Sequence, residues 1–376
     1  MTAKATRKAA LIVATLTSFM TPFMGSSINL ALPSMARELE MDAVLLSWVP
    51  TAYLLASAVS LVPFGRVADI HGRKRVFTWG ILAFTFFSLL CAMANSAAML
   101  IFLRVLQGIG SAMIFATGIA ILTSVFPPQE RGRVLGINVA AVYVGLSAGP
   151  FLGGLLTEHF TWRSVFLANV PMGLVTLFLV VRRLKAEWAE ARGESFDLVG
   201  SLIYAGAITA MVCGISLLPD LRSLWITLGG ILALILFVRW EGKAPSPVLN
   251  LDLFRANRVF AFSSLAALIH YSATFAVTFL LSLYLQHIKA LSAQEAGLIL
   301  VSQPVIMALF SPLAGRLSDR IEPRIVASTG MALTTVGLFL FISLGESSTV
   351  AFVVFRLMLL GLGLALFSSP NTNAIM

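Results

Sequence analysis

Residues 65–75 read Gly-Arg-Val-Ala-Asp-Ile-His-Gly-Arg-Lys-Arg, and they separate two long apolar segments. A shorter form of the pattern, Gly-Arg-Leu-Ser-Asp-Arg, returns at residues 315–320, again at the end of an apolar segment and shortly before a further basic residue, Arg324. From Gly65 to Gly315 the offset is 250 residues. Because many transporters are built from internal repeats, this recurrence predicts a membrane protein with two related halves.

The composition sets the broad class. The chain is 58% hydrophobic and 11% charged, whereas soluble domains carry about 25% charged residues. A soluble protein is therefore excluded. The two cysteines, Cys91 and Cys213, lie inside apolar segments, which indicates small buried residues and no disulfide framework.

The chain contains apolar segments long enough to span a bilayer, which takes about 20 residues in helical form. The first follows Lys4, Arg7 and Lys8 and is too long for the apolar core of a signal peptide, so we expect it to be retained as a helix. The twelve predicted segments are 10–33, 44–64, 76–94, 98–123, 134–156, 162–181, 197–217, 222–240, 259–286, 295–314, 325–344 and 349–376.

The basic residues predict the orientation. With a cytoplasmic N-terminus, 20 of the 26 Lys and Arg residues fall on the inner side and four on the outer side, as the positive-inside rule requires. The net charge of +9 therefore reflects topology, and no nucleic-acid partner is expected. We expect a monomeric, multi-pass protein of the plasma membrane that contacts the lipid bilayer.

The length of the repeat predicts the domain organisation. Six helices fill the first half, and the offset of 250 residues leaves room for two more before the second copy begins. The predicted fold class is an all-α integral membrane protein with a six-helix N-terminal bundle at 1–183, a linker with an inserted helix pair at 184–245, and a partial, four-helix bundle at 246–376.

Three further motifs accompany the stretch at 65–75. Helix one ends in Ile-Asn-Leu-Ala-Leu-Pro at 28–33, helix four contains Leu-Arg-Val-Leu-Gln-Gly-Ile-Gly at 103–110, and helix five contains Gly-Leu-Ser-Ala-Gly-Pro-Phe-Leu-Gly-Gly at 145–154. In this order, the four motifs resemble those of the major facilitator superfamily, and specifically its drug:proton antiporter branch with fourteen spanning helices.

This resemblance implies a major facilitator fold in which two six-helix halves flank an inserted pair. It further implies a secondary active transporter that exports lipophilic or amphiphilic compounds by alternating access, driven by the proton gradient and without a cofactor or metal. The family would place two more helices after Met376, so the chain is expected to be incomplete, the alternative being a genuinely reduced protein.

The resemblance and the residue chemistry together predict three sets of site residues. The predicted cytoplasmic gate, in which an aspartate accepts from a helix N-terminus or pairs with an arginine, consists of Gly65, Asp69, Gly72, Arg73, Lys74, Arg131, Gly315, Arg316 and Asp319. The antiporter helix motif, a small-residue face for sliding between the halves or for plain packing, consists of Gly145, Gly149, Pro150, Gly153 and Gly154. The substrate or proton pathway consists of Asn29, Tyr53, Arg104, Gln107, Asn138, His270, Gln303 and Arg356.

Two of the pathway residues are arginines inside predicted helices. Charged residues in spanning helices usually face the interior, but Arg104 and Arg356 lie near helix starts, and each could instead extend toward the membrane surface. For the basic residues at 73–75, the alternative to a gate is a role as topology anchors only.

The chain departs from the branch at one position, since Met24 stands where an aspartate is usual. The 17 acidic residues all fall in loops or at segment ends. His270 is then the deep residue that titrates near neutral pH, and it could carry the proton; the alternative is a neutral histidine bonded to a neighbouring helix.

The expected substrate class is inferred from the lack of a carboxylate in the middle of the predicted helices. Without a central carboxylate, neutral or anionic amphiphiles fit better than strongly cationic drugs. Export of one specific metabolite and a non-transporting scaffold or receptor remain alternatives. Motifs of an intramembrane enzyme are not visible.

The two gate aspartates are expected to differ. The family partner of Asp69 lies at the start of a helix beyond Met376, so Asp69→Asn is expected to change little in the present chain. The counterpart of Asp319 lies near Arg131 and Arg133, at the start of helix five.

Overall fold

The protein is all-α, as predicted, and a computed structural model describes residues 3–218, 220–291 and 293–375. Met1 and Met376, the limits of the predicted domains, lie outside the described residues. The first eight helices are α1 (Ala3–Glu38), α2 (Ala43–His71), α3 (Arg73–Ala92), α4 (Ala97–Val125), α5 (Pro128–His159), α6 (Arg163–Arg183), α7 (Leu198–Ser216) and α8 (Leu221–Glu241).

The remaining elements are less regular. They are α9 (Asp252–Ala256), α10 (Arg258–Leu283), a π-helical turn (Tyr284–Ile288), α11 (Ala293–Leu300), α12 (Ser302–Ser318), α13 (Pro323–Phe341) and α14 (Val350–Ile375). Among the described residues, eleven helical stretches are long and apolar enough to cross a membrane. α10 is a helix of 26 residues at the position of the predicted ninth segment; it is not among the eleven, and the predicted count of twelve stays a prediction.

The predicted tenth segment is interrupted. It divides into α11 and α12 at Val301. Pro304 explains the break, because proline has no N–H to donate to the carbonyl of Leu300, one turn before it.

The stretch at 65–75 is not the loop that the sequence predicted. α2 continues to His71, α3 begins at Arg73, and Gly72 alone separates them with φ at 117°. Glycine accepts this backbone conformation because it lacks a Cβ atom. The charged residues of the motif therefore stand on two rigid helix ends.

The glycine face of α5 packs on α1. A Cβ atom on Gly145 would lie 2.5 Å from the carbonyl oxygen of Phe19, and one on Gly153 would lie 2.7 Å from the Cβ of Ser27. The Ser27 hydroxyl donates to the Gly149 carbonyl at 3.0 Å. Since α1 and α5 both belong to the first six helices, this face packs within the first half, in line with the plain-packing alternative and not with a sliding surface between the halves.

The same helix contains the two other residues of the motif. Pro150 lies inside α5, which nevertheless remains helical to His159. A Cβ atom on Gly154 would lie 3.2 Å from a methyl group of Leu30.

Helices α7 and α8 form a hairpin that also contacts α2. A Cβ atom on Gly230 would lie 2.8 Å from the backbone nitrogen of Met211, and one on Gly214 would lie 2.7 Å from that of Thr227. Small residues therefore bring the two backbones close together, as in many membrane helix pairs.

The α1–α5 contact gives a first prediction. Gly145→Ala should lower the free energy of unfolding by about 1–3 kcal/mol, because the new methyl group meets backbone atoms that cannot rotate away. The matched control is Gly206→Ala in α7, where a Cβ atom meets nothing within 4 Å. Thermal unfolding in detergent should show a lower Tm for the first variant and an equal or higher Tm for the second; equal Tm values would contradict the packing.

Candidate functional site

One end of the bundle carries most of the predicted gate residues, and we call it the basic end: the α2–α3, α4–α5 and α12–α13 connections. Asp319 ends α12 there. Its two carboxylate oxygens accept hydrogen bonds from the backbone N–H groups of Gly132 and Arg133, each at 2.7 Å. Hydrogen bonds to a charged acceptor are among the stronger ones in proteins, so this carboxylate attaches α12 to the second turn of α5.

The helices approach closely at the same place. A Cβ atom on Gly132 would lie 2.4 Å from the carbonyl oxygen of Gly315, and one on Gly136 would lie 2.5 Å from that of Ser311. The Ser369 hydroxyl of α14 donates to the Gly132 carbonyl at 3.3 Å. The close contact between the two halves of the chain is therefore the α5–α12 crossing. Gly132 and Gly136 were not among the predicted site residues, although their four-residue spacing was a usable signal.

Burial raises the pKa of the Asp319 carboxyl above its usual range, while the hydrogen bonds from the N–H groups of Arg133 and Gly132 lower it. Protonation would remove the negative charge that these two hydrogen bonds depend on.

Two other predicted gate residues lie at the basic end without contacting Asp319. Arg131 donates to the carbonyl oxygens of Thr123 at 2.8 Å and Phe126 at 3.2 Å, so its side chain caps α4. Arg316 is exposed. The partner of Asp319 is therefore the backbone of α5, not the neighbouring arginine side chain.

Asp69 has a different environment. Its carboxylate accepts from the guanidinium of Arg73, one turn away, at 2.9 Å. Arg73 is 9% exposed and also donates to Ser124 at 2.7 Å and Glu190 at 2.8 Å. Arg73 therefore joins α2, α3 and α4 and is more than a topology anchor.

Glu190 belongs to residues 184–197, which follow α6 and which we call the linker strap. The Trp188 carbonyl accepts from the Arg73 N–H at 2.7 Å, and the Asp69 carbonyl accepts from the Ala191 N–H at 3.0 Å. Glu187 accepts from the Lys74 N–H at 2.9 Å, while Glu194 pairs with Arg66 at 2.6 Å.

The strap packs tightly on the turn between α2 and α3. A Cβ atom on Gly72 would lie 2.5 Å from the carboxyl carbon of Glu187. The linker strap, which is close in sequence, therefore covers the first copy of the motif. The second copy contacts α5, a helix of the other half. Gly65, by contrast, has open surroundings, with the Ala116 Cβ 3.9 Å away as its nearest neighbour.

Arg104 lies in a buried polar cluster in the N-terminal half. The side chain is fully buried; its Nε donates to the Val49 carbonyl at 3.1 Å and its Nη1 to Gln107 at 2.6 Å. Gln107 in turn donates to Ser88 at 2.6 Å. Tyr53 stacks below the guanidinium, 4.1 Å from it. Arg104 therefore does not extend to the membrane surface.

No carboxylate neutralises this arginine among the described residues, since none of their ion pairs includes it. Its Nη2 has no hydrogen-bond partner. The cation–π contact contributes about 2 kcal/mol in a desolvated site, whereas burial of an ion costs several kcal/mol. The cluster therefore has an unused N–H donor and an uncompensated positive charge, which an anionic group or a hydrogen-bond acceptor can satisfy.

A second polar cluster involves both halves. His270 of α10 is 4% exposed, stacks on Phe367 with ring centroids 4.2 Å apart, and has no partner for its Nε2. The hydroxyls of the adjacent Tyr271 and of Ser368 lie 2.7 Å apart. Tyr143 of α5 reaches both hydroxyls.

Arg356 mirrors Arg104 in the C-terminal half. It is fully buried, and its guanidinium lies 3.7 Å from the Phe352 ring. Its Nη2 donates to Ser343, just beyond the end of α13, at 2.7 Å, and its Nε and Nη1 have no partner. Unlike Arg104, Arg356 thus reaches toward a helix end.

The other pathway residues are dispersed. Asn138 accepts from the Ser18 hydroxyl at 2.9 Å and borders a cavity of about 70 Å³ between α1, α4 and α5. Gln303 is buried where α12 meets Gly361 of α14. Asn29 is exposed and joins neither cluster.

Met24 fills the position where the branch usually has an aspartate. It is fully buried, and its sulfur accepts from the Asn169 amide at 3.1 Å. All 17 acidic residues lie in loops or near helix ends. Among the described residues, no group of three or more His, Cys, Asp or Glu side chains is arranged to hold a metal ion.

The sequence matches the Major Facilitator Superfamily over residues 14–263 and 263–376. Together with the all-helical fold and the repeated gate motif, this match shows that the chain belongs to the superfamily, whose members are transporters.

Two relatives carry names of different kinds. Riboflavin transporter RibZ of Clostridioides difficile is 33% identical over 366 residues, which cover 97% of this chain and 80% of RibZ. Multidrug resistance protein Stp of Mycobacterium tuberculosis is 32% identical over 357 residues, which cover 93% of this chain and 66% of Stp.

A solved structure of the proton:xylose symporter XylE shares the fold. Its double tryptophan variant superposes with a TM-score of 0.70 at 14% sequence identity, covering 98% of this chain and 81% of that one. At this identity the likeness concerns the fold alone.

The α5–α12 crossing gives a second prediction. Asp319→Asn replaces one acceptor oxygen with an NH₂ group that faces a backbone N–H, and a hydrogen bond to a charged group contributes about 1.5–3 kcal/mol. We expect transport to fall about tenfold or more. The matched control is Asp69→Asn, whose carboxylate contacts Arg73 on the same helix pair, and it should keep most of the activity. Counterflow in proteoliposomes measures both; equal, severe losses would contradict the asymmetry.

The Arg104 cluster gives a third prediction. Arg104→Lys keeps the charge but loses the planar group that stacks on Tyr53 and donates in two directions, so the transport rate should drop about tenfold. Arg222→Lys, at an exposed position in α8, is the control and should behave as wild type. Unchanged transport by Arg104→Lys, at equal protein in the membrane, would show that the point charge suffices.

Proposed function

We propose that the protein is a secondary active exporter of lipophilic or amphiphilic compounds in the plasma membrane, with a cytoplasmic N-terminus, and that it works by alternating access. The observation that carries this proposal is the α5–α12 crossing. Two glycine-lined backbones meet there, and one carboxylate joins them. Such a contact can open when the carboxylate leaves the two N–H groups, and the apolar cluster around Tyr143 and Met307 farther along the two helices separates with it.

The proposed moving parts follow from the fold. Helices α1–α6 form one bundle, α10–α14 belong to the related second half, and α7–α8 are inserted between them. When the crossing opens, the basic end, which faces the cytoplasm in this proposal, admits the substrate. When it closes, the opposite end releases it. The linker strap keeps α2, α3 and α4 together throughout, because Arg73 contacts all three regions.

The proposed substrates are neutral or anionic amphiphiles. Arg104 and Arg356 are buried cations with unpartnered N–H groups, and the acidic residues are confined to loops and helix ends. A strongly cationic drug would therefore meet like charge without a counter-charge. The name of the relative Stp, a multidrug resistance protein, is in line with an exporter of varied compounds.

A second candidate is transport of one specific metabolite with a planar aromatic system. It is favoured by the stacked rings in the two polar clusters, such as Tyr53 under Arg104 and Phe367 against His270. The relative RibZ is named a riboflavin transporter, and riboflavin is therefore the first metabolite to test.

Proton coupling is the remaining part of the proposal. A coupled carrier needs a titratable group that both the proton and the substrate can influence. Met24 cannot titrate, whereas His270 is buried with a free Nε2 and lies beside the tyrosine–serine contact between α10 and α14. We assign the proton to His270.

Solute counterflow in proteoliposomes tests the function. Vesicles loaded with an anionic lipophilic dye should accumulate labelled dye from outside with saturable kinetics, and riboflavin should compete only under the second candidate. A non-transporting scaffold or receptor would show no exchange of either compound.

The coupling residue gives a fourth prediction. His270→Gln should abolish uptake driven by an imposed pH gradient, because glutamine does not titrate, while counterflow without a gradient continues. His159→Gln, at an exposed position at the end of α5, is the matched control and should keep both activities. Unchanged gradient-driven uptake in His270→Gln would refute the assignment.

A further inference from the structure

A cavity outside the helix bundle has no role in the transport cycle described above. It has a volume of about 340 Å³ and lies at the basic end, between the start of α3, the end of α6 and the linker strap. Its lining consists of Lys74, Arg75, Thr78, Trp79, Val181 and Glu187.

The cavity has an excess of positive charge. Lys74 and Arg75 face one carboxylate, Glu187, which is already held by the backbone N–H of Lys74 at 2.9 Å. The exposed Arg182, Arg183 and Lys185 follow directly where α6 ends. The neighbouring Glu190 shares the guanidinium of Arg73 with Asp69; this leaves one negative charge nearby, fewer than the three cations at the end of α6.

The rest of the lining is apolar and faces outward. Trp79 is 59% exposed and Val181 is 60% exposed, and both belong to spanning helices. Exposed side chains on the outer surface of such helices contact lipid chains. Tryptophan concentrates at the boundary between membrane and water, where its ring sits at the level of the headgroups.

Cations beside apolar side chains that face the membrane match an amphiphilic ligand with a negatively charged headgroup. Basic cavities between spanning helices at the membrane surface hold phosphate headgroups, and each nearby Lys or Arg strengthens the attraction to anionic lipid. Arginine can hold a phosphate through two parallel N–H donors, whereas lysine contributes a compact charge.

We propose that this cavity binds the headgroup of an anionic phospholipid, with the phosphate between Lys74 and Arg75 and an acyl chain along Trp79 and Val181. The binding depends on insertion in a membrane and not on transport. Glu187 lines the cavity and also packs against Gly72, so the bound lipid touches the strap that covers the α2–α3 turn.

Native mass spectrometry of the full chain, released from mixed micelles with phosphatidylglycerol, tests the site. The wild type should retain phosphatidylglycerol at least about tenfold more strongly than phosphatidylcholine. Lys74→Gln with Arg75→Gln should reduce this retention about tenfold. The control pair, Lys243→Gln with Arg255→Gln, removes two exposed charges outside the strap and the cavity lining and should leave retention unchanged.

Three outcomes would overturn the proposal. Equal losses of phosphatidylglycerol retention in the two double variants would mean that surface charge alone attracts the lipid. Equal retention of phosphatidylcholine would exclude an anionic headgroup site. Displacement of the lipid by inorganic phosphate at similar concentration would assign the cavity to free phosphate. If the double variant does not fold, Arg75→Gln alone, at an exposed side chain, should give a smaller loss, and wild-type retention would contradict the site.

Discussion

The carboxylate of Asp319 on the backbone of α5 is the interaction on which the arrangement of the two halves depends. Gly132 meets Gly315 without a Cβ atom on either side, and this close approach brings the carboxylate within hydrogen-bond distance of the Gly132 and Arg133 N–H groups. The contact therefore combines close helix approach with two charge-assisted hydrogen bonds. Loss of the carboxylate removes both hydrogen bonds and leaves the crossing to the apolar contacts around Tyr143 and Met307.

The two copies of the repeated motif therefore make different contacts. At the second copy, the aspartate reaches across to another helix bundle. At the first copy, Asp69 stays within its own helix pair through Arg73, and the linker strap supplies the remaining contacts. The strap binds through the Trp188 carbonyl, the Ala191 N–H and three glutamates, so the first copy is held by its neighbours in sequence. This difference explains why one motif can serve a moving contact and a fixed one.

Much of the architecture could be predicted from the sequence, because long apolar segments and the repeat are local features. The all-helical class, the placement of Arg104 inside a helix and the location of the acidic residues at segment ends all follow from composition and spacing. The sequence did not predict which helix surfaces contact each other. For the face of Gly145, Gly149 and Gly153, sliding between the halves and plain helix packing were both open, and the face packs on α1. The gate at 65–75 was expected to be a loop, yet Gly72 is the only residue between α2 and α3, since helix ends depend on tertiary contacts that include the strap.

The central claim is that the Asp319 carboxylate holds the α5–α12 crossing closed, and the most direct test is a distance. Spin labels at Gln129 in α5 and at Arg320 after α12, both exposed, with Cys91 and Cys213 replaced by serine, report the separation by pulsed electron resonance. The account predicts one short-distance population in the wild-type background and an added longer population when Asp319 is replaced by asparagine. Identical distance distributions in the two proteins would contradict it.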